Sequence, residues 1–289
     1  MIKVIKYFFE AFFVYLSFII IRLLGLNISR KLFSYIFKFL GPIIKSKKVV
    51  ESNLDFAFPD LDKSEKKNKI DNMWSSYAML FVEYIYLSRF KNNNAHILIE
   101  GREIIKKIMK NNRPVIFVSG HFANFELMSM ELTKLGINLA TIYRPLNNFF
   151  LNNFMVYLRK KYICKNQIKK GLAGTREILS YLNNKHSIAL MIDQRVSEGI
   201  KIPFFKKNAL TTTLPAQLSL KFNYEIVPIF IRRNKDDNFE MKIFEPINSL
   251  NIENSEKNKK DLSLKLNQIL EKMVLKSDSQ WIWTHNRWK

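Results

Sequence analysis

The sequence predicts an α/β protein: one domain built on a mixed, largely parallel sheet flanked by helices, preceded by an N-terminal membrane-anchor helix. Three observations carry this. Short β-rich runs alternate with helical-period segments along the middle of the chain. The 289 residues are 47% hydrophobic, enough for one substantial core. The N-terminus is apolar over about the length that a bilayer requires. The boundaries follow as an anchor over residues 1–26 and a domain over residues 27–289 that opens on basic amphipathic helices.

The anchor is read from Ala11–Ile21, AFFVYLSFIII, which extends from Tyr7 to Leu26 if Glu10 and Arg22 are accepted within it. Its roughly 20 residues match a bilayer core, and the two charges sit near its ends, so it either spans the membrane or lies deep in the interface. No small-residue cleavage site follows, so the segment is expected to remain attached. Behind it Arg30, Lys31, Lys38 and Lys45 alternate with Phe33, Tyr35, Phe37 and Phe39. That pattern suits an anionic membrane surface.

Helical spacing of Ile70, Met73, Trp74, Tyr77, Phe81 and Tyr84 predicts one long helix from Ser64, its N-cap, to Phe90. Strands are expected at Val115–Ser119, Asn138–Tyr143, Ser187–Ile192, Ile226–Ile231 and Phe239–Phe244, with helices between them such as Asn124–Leu135 and Gly174–Leu182. No second domain boundary follows residue 50.

Composition then narrows function. Forty-seven Lys and Arg residues against 25 acidic ones give a net charge of +22, which favours anionic partners such as phospholipid headgroups, nucleic acid or an acidic carrier protein. Nucleic acid loses support, because neither an RNP1 strand nor a zinc finger is present. A single cysteine, Cys164, excludes an intramolecular disulfide framework. The patterns G-x-S-x-G, H-E-x-x-H, G-x-x-x-x-G-K and G-x-G-x-x-G are all missing. His96, His186, His285 and Cys164 lack metal-ligand spacing, so neither metal nor cofactor is expected.

One constellation carries chemistry. His121 directly follows the apolar strand VIFVS and Gly120, at the carboxyl end where open α/β sheets gather ligands. In the run HFANFE, a His outside the following helix and a Glu inside its first turn can pair, with Gly120 and Asn124 permitting the bend. A carboxylate on one ring nitrogen fixes the tautomer and leaves the other nitrogen to remove a hydroxyl proton. The expectation is a base, His121, held by Glu126.

The motifs NLDFAFPDL (Asn53–Leu61), SGHFANFEL (Ser119–Leu127), YRPLNN (Tyr143–Asn148), KKGLAGTREIL (Lys169–Leu179), MIDQR (Met191–Arg195), IPFF (Ile202–Phe205), VPIFIRR (Val227–Arg233) and QWIWTHNRWK (Gln280–Lys289) occur in this order. Together with the anchor they make the chain resemble the lysophospholipid-acyltransferase superfamily, in its lipid A biosynthesis branch of lauroyl and myristoyl acyltransferases. The resemblance implies a membrane-bound O-acyltransferase in which an acceptor hydroxyl, deprotonated by His121, attacks an acyl thioester directly. It implies an acyl carrier protein or acyl-CoA as donor and a membrane lipid, a lipid A precursor first, as acceptor. Arg144 then either stabilises the oxyanion or grips an acceptor phosphate. Asn124, Asp193, Gln194 and Arg195 join it as substrate-binding residues, and Pro203–Phe205 form either an acyl-groove wall or core. Trp281, Trp283, His285 and Arg287 are expected to pack the terminal segment, without a catalytic part. The location implied is the bacterial inner membrane, with the catalytic domain on its cytoplasmic face.

Two departures stand out. Lys206 and Lys207 follow IPFF where relatives usually place a glycine, and the tail reads HNRWK where HRRWK is common. They leave other acceptors open, a glycosylated phospholipid or an aminolipid among them. A basic membrane-surface protein without catalysis is the alternative outside the enzyme class.

Overall fold

Strands buried on both faces read as continuous apolar runs, and IFVS and SIALM do so here. In a computed structural model, which describes residues 2–249 and 252–289, they form the middle of a seven-stranded sheet. The chain runs α1 (Ile2–Leu24), α2 (Leu26–Ile44), α3 (Lys47–Ala57), α4 (Lys63–Glu83), α5 (Leu87–Asn92), β1 (Ile97–Glu100), α6 (Arg102–Asn111) and β2 (Ile116–Ser119). It continues through α7 (Glu126–Lys134), β3 (Leu139–Tyr143), α8 (Phe149–Leu158), β4 (Asn166–Lys169), α9 (Leu172–Asn183) and β5 (Ser187–Met191). A hairpin of β6 (Ile200–Phe204) and β7 (Lys207–Thr211) follows, then α10 (Leu214–Phe222), β8 (Ile226–Arg233), β9 (Phe239–Ile243) and α11 (Glu256–Lys276).

The sheet order is β1-β9-β8-β2-β5-β3-β4, and every neighbour is parallel except β8 with β9. This is the mixed, largely parallel α/β fold expected. Register decides what meets at the carboxyl edge. Ser119 of β2 lies opposite Met191 of β5, so His121 and Asp193, each two residues further on, leave the sheet side by side. Tyr143 of β3 lies opposite Lys169 of β4, which brings Arg144 and Lys170 to the same edge.

The long helix expected over Ser64–Phe90 is interrupted. Asp62, not Ser64, caps α4 in a reciprocal box with Glu65. A 3₁₀ turn at Tyr84–Tyr86 then separates α4 from α5. The interruption falls where the Glu83 and Tyr84 side chains enter buried polar contacts, which override helical propensity.

Helix α1 has the length and apolarity to cross a membrane, with mean hydropathy 2.0. It is also fastened to the domain. Phe18 stacks on Phe81 at 5.1 Å and packs against Phe154 of α8, while Tyr86 donates to the Ile21 carbonyl at 2.9 Å. The two charges that interrupt the apolar stretch both have partners. The Glu10 carboxylate accepts from Asn148 at 3.2 Å, and Arg22 lies over the Tyr86 ring. Phe8, Phe9, Phe12, Phe13, Ile19 and Leu23 remain exposed. Gly25, at φ 80°, makes the bend into α2.

The hairpin loop explains the missing glycine. Phe205 (φ 49°) and Lys206 (φ 59°) are both left-handed, as a two-residue type I′ turn demands, and an L side chain is strained there. Glu271 accepts the Phe205 N–H at 2.6 Å and supports the turn from α11. Lys206→Gly should therefore raise stability by about 0.5–1 kcal/mol, read as a higher urea midpoint at unchanged slope.

Candidate active site

The loop after β2 is shaped by close approach rather than by a flexible glycine. A Cβ on Gly120 would sit 2.7 Å from Phe122 and 2.9 Å from Leu270, so no side chain fits. Beyond it the C-terminal segment clamps the loop. Phe122 forms an antiparallel bridge with Trp281, and the Ala123 N–H donates to the Gln280 carbonyl at 2.9 Å. Ala123 itself takes a positive φ of 43°.

Asp193 organises what the register brings together. Its Oδ1 lies 2.7 Å from His121 Nδ1, and its Oδ2 accepts the His121 backbone N–H at 2.7 Å and the Trp281 indole N–H at 2.8 Å. A carboxylate only accepts, so Nδ1 carries a proton, and in the neutral ring Nε2 presents the lone pair. Burial by itself would raise the Asp193 pKa. The charge and hydrogen bonds of His121, with the Trp281 donor, outweigh it and hold the group at about 2. Phe125 packs edge-on against the His121 ring at 4.5 Å and restricts its rotation.

Glu126 lies elsewhere than the sequence led us to expect. It opens α7 and lines the same cleft, yet its Oε1 is taken by Arg159, at 2.8 Å from Nε and 2.5 Å from an Nη, and by the Tyr84 hydroxyl. The carboxylate on the imidazole comes instead from β5. Two parallel strands in register deliver Asp193 to the ring, whereas the first turn of α7 turns Glu126 toward Arg159, the first residue of a π-helical turn (Arg159–Ile163). Burial alone would lower the Arg159 pKa, but Glu126 and Tyr84 outweigh it and raise it above the usual range, while burial raises that of Tyr84. The carboxylate keeps the guanidinium firmly charged and holds the phenol protonated.

Asn124, expected to touch substrate, is fully buried and donates to Glu83 at 2.9 Å. Glu83 is 0% exposed and also holds Arg30 at 2.7 Å and Arg233 at 2.6 Å. Asn124 thus ties the His121 loop to a buried ionic centre. Arg195 turns away from the cleft. Its Nε donates to the Lys289 carbonyl at 3.1 Å, and its backbone N–H donates to His285 Nδ1 at 3.4 Å. Arg144 and Gln194 do line the cleft, Arg144 exposed at its rim.

The cleft measures about 460 Å³. Lys45, Arg144 and Lys170 are its cations without an ion-pair partner among the described residues, while Met128, Ile142, Ile163 and Leu190 supply apolar wall. His285 lines it too, although the tail looked purely structural in the sequence. In the sequence Lys45 read as a membrane-surface lysine and Lys170 only as part of KKGLAGTREIL, because only strand order and the α2–α3 break bring them to one place. Of the IPFF aromatics, Phe204 is core and half-buried Phe205 packs against it from the hairpin turn. Phe204 is fully buried and stacked on Trp288 at 5.4 Å, which donates to the Phe204 carbonyl.

The tail is fixed at both its faces. Asn53 of the NLDF run donates to the carbonyls of Trp283 and His285, both at 2.7 Å. Arg287, fully buried, reaches the Leu210 carbonyl, Thr211 and Asn267, and burial lowers its pKa to about 10.

Residues 2–289 match the family described as bacterial lipid A biosynthesis acyltransferase. A lipid A biosynthesis acyltransferase of Haemophilus influenzae is 24% identical over 269 residues, covering 89% of this chain and 82% of its own. A lipid A biosynthesis palmitoleoyltransferase of Escherichia coli is 24% identical, covering 86% and 80%. A lipid A biosynthesis lauroyltransferase of the same species is 22% identical, covering 84% and 78%.

The depressed Asp193 pKa has a stability consequence with a definite sign. A carboxyl that titrates near 3.9 unfolded and about 2 folded stabilises the native state above about pH 4, and that contribution disappears as pH falls through 2. The difference in urea midpoint between the protein and Asp193→Asn should be constant above about pH 4 and close toward pH 2.

Proposed function

Since the chain belongs to the bacterial lipid A biosynthesis acyltransferase family, we propose that His121 is the general base that moves a fatty acyl chain from a carrier thioester to a hydroxyl of a lipid A precursor. The observation that carries this reading is an imidazole whose Nδ1 is committed to Asp193 and whose Nε2 remains free, in a cleft with a cationic rim and an apolar wall. Asp193 is the only hydrogen-bond partner of the His121 ring among the described residues, so no serine or cysteine is held against it as a nucleophile. The acceptor hydroxyl is therefore the attacking group. Its proton passes to Nε2, its oxygen bonds to the thioester carbon, and the thiolate leaves with the proton from Nε2. Asp193 fixes the tautomer and stabilises the imidazolium formed midway.

Glu126 acts in this reading through Arg159, as a neutralised pair that shapes the cleft wall beside the base. Gln194 supplies a polar contact on the β5 side. Lys45, Arg144 and Lys170 suit a phosphate on the acceptor headgroup, and the apolar wall suits an acyl chain. Asn124 and Arg195 position the His121 loop and the C-terminal tail.

A membrane location accords with surface chemistry. The exposed apolar face of α1 continues onto Phe149, Phe150 and Tyr157 of α8, and α2 exposes Tyr35, Phe39 and Ile43 beside Lys31 and Lys38. We place this surface in the inner membrane with residues 27–289 on its cytoplasmic side, residues 1–26 serving as the anchor. A net charge of +22 favours an acidic acyl carrier protein as donor.

His121→Ala should remove at least about 10²-fold of the transfer rate, the share that general-base catalysis ordinarily supplies, with membrane association retained and a lower urea midpoint, because buried Asp193 loses its ring donor. Full activity in that variant would overturn the mechanism. With carrier protein as donor, kcat/KM should fall as salt rises across roughly one Debye length of screening, and a flat salt response would count against electrostatic docking. Mass spectrometry of membrane lipids after gene deletion should show a lipid A species lacking one acyl chain. Loss from another glycolipid or an aminolipid instead would reassign the acceptor.

A further inference from the structure

Thioester attack develops negative charge on the carbonyl oxygen, and the His121–Asp193 pair offers nothing to meet it. A fixed donor within the same cleft is required. Arg144 is exposed at the rim, where a mobile guanidinium suits a headgroup better than a reacting atom. His285 is placed differently. It lines the cleft with His121, and its main chain is held by the Asn53 amide.

Its protonation state follows from geometry. The Arg195 backbone N–H can only donate, so His285 Nδ1, at 3.4 Å, is an acceptor. An acceptor Nδ1 excludes the imidazolium and leaves the proton on Nε2. The electrostatics agree. Burial, aided by the positive charges of Arg287 and Arg144 and by His121 when that ring is protonated, lowers the His285 pKa to about 4 against the opposing pull of Asp193. At neutral pH the ring is therefore an uncharged N–H donor. His121 has the opposite tautomer, with its proton on Nδ1 and its lone pair on Nε2. The cleft thus contains one imidazole that accepts a proton and another that only offers one.

We propose that the Nε2–H of His285 is the oxyanion donor of the acyl transfer, a catalytic residue contributed by the C-terminal tail. As the acceptor oxygen bonds to the thioester carbon and its proton moves to His121, the carbonyl π electrons shift onto oxygen, which accepts a hydrogen bond from His285. Collapse restores the carbonyl, breaks the carbon–sulfur bond and returns the proton from His121 to the thiolate. His285 donates throughout and transfers no proton. A neutral donor has a specific advantage here. An imidazolium at this position would repel the imidazolium forming on His121, whereas a neutral ring does not.

This assignment rests on the acyl-transfer reading with His121 as base, and the test separates the two. Steady-state transfer would be measured with a C12 thioester of acyl carrier protein and a lipid A precursor, for the intact protein, His285→Ala, His285→Gln, His285→Glu and His121→Ala. The Asn53 contact uses the His285 carbonyl and survives each exchange. His285→Ala should lower kcat about 10²–10³-fold with little change in either KM and an unchanged urea midpoint. His285→Gln, which keeps an N–H donor, should recover at least about tenfold over the near-isosteric His285→Glu, which at neutral pH only accepts. Equal rates for Gln and Glu, or a kcat for Ala within threefold of the intact protein, would overturn the donor assignment. If the Ala variant proves unstable, the Gln and Glu pair decides alone. Loss in His121→Ala together with full activity in His285→Ala removes the donor and keeps the base. Full activity in His121→Ala removes the underlying reading.

Discussion

A single buried carboxylate constrains the rest of the site. Asp193 is 2% exposed and meets three donors: the ring and backbone of His121, two residues beyond β2, and an indole from the C-terminal segment. An ionised group at that depth persists only when its lone pairs are occupied. Each donor therefore limits a different part of the fold. The backbone donor requires the His121 loop to turn immediately beyond Gly120, where no Cβ fits. The ring donor sets the tautomer, and the buried indole ties the C-terminal segment to the carboxylate that holds the His121 ring.

A second buried centre supports the same loop from its other side. Glu83 binds Arg30, Arg233 and Asn124, while the next residue, Tyr84, binds Glu126. Consecutive residues at the end of α4 thus grip two positions of the HFANFE run. Truncating one partner of such a buried pair costs about 3–5 kcal/mol, because the remaining charge is stranded.

Much of the fold was legible in the sequence because its signals are local. Apolar runs such as IFVS and SIALM marked the central strands, and His121 was conspicuous by its position after one of them. The partner of that histidine was not legible. His121 and Asp193 are 72 residues apart, and only the register of two parallel strands makes them neighbours. Glu126, five residues away, was the nearer choice by sequence. It lost because the start of a helix points its side chain at Arg159, a residue that no local pattern connects to it. Asn124 misled for a related reason: a polar residue in a catalytic run looks like a ligand contact until a buried acid is found behind it. His285 showed only as one of several aromatic and basic residues in the tail, since its value depends on a backbone N–H contributed by Arg195.

Helix α1 read in the sequence as a membrane anchor, and its packing on the domain has a practical corollary. Asn148, the N-cap of α8, donates to the Tyr7 carbonyl and to Glu10, and Phe18 covers Phe81 and Phe154. A shortened form beginning after Gly25, the usual route to a soluble preparation, would uncover those aromatic rings and leave the α8 cap short of two acceptors. It would not be the same enzyme without its tether. Detergent or nanodisc preparations of the full chain preserve the surface on which α8, and through it Arg159 and the Glu126 wall of the cleft, is seated.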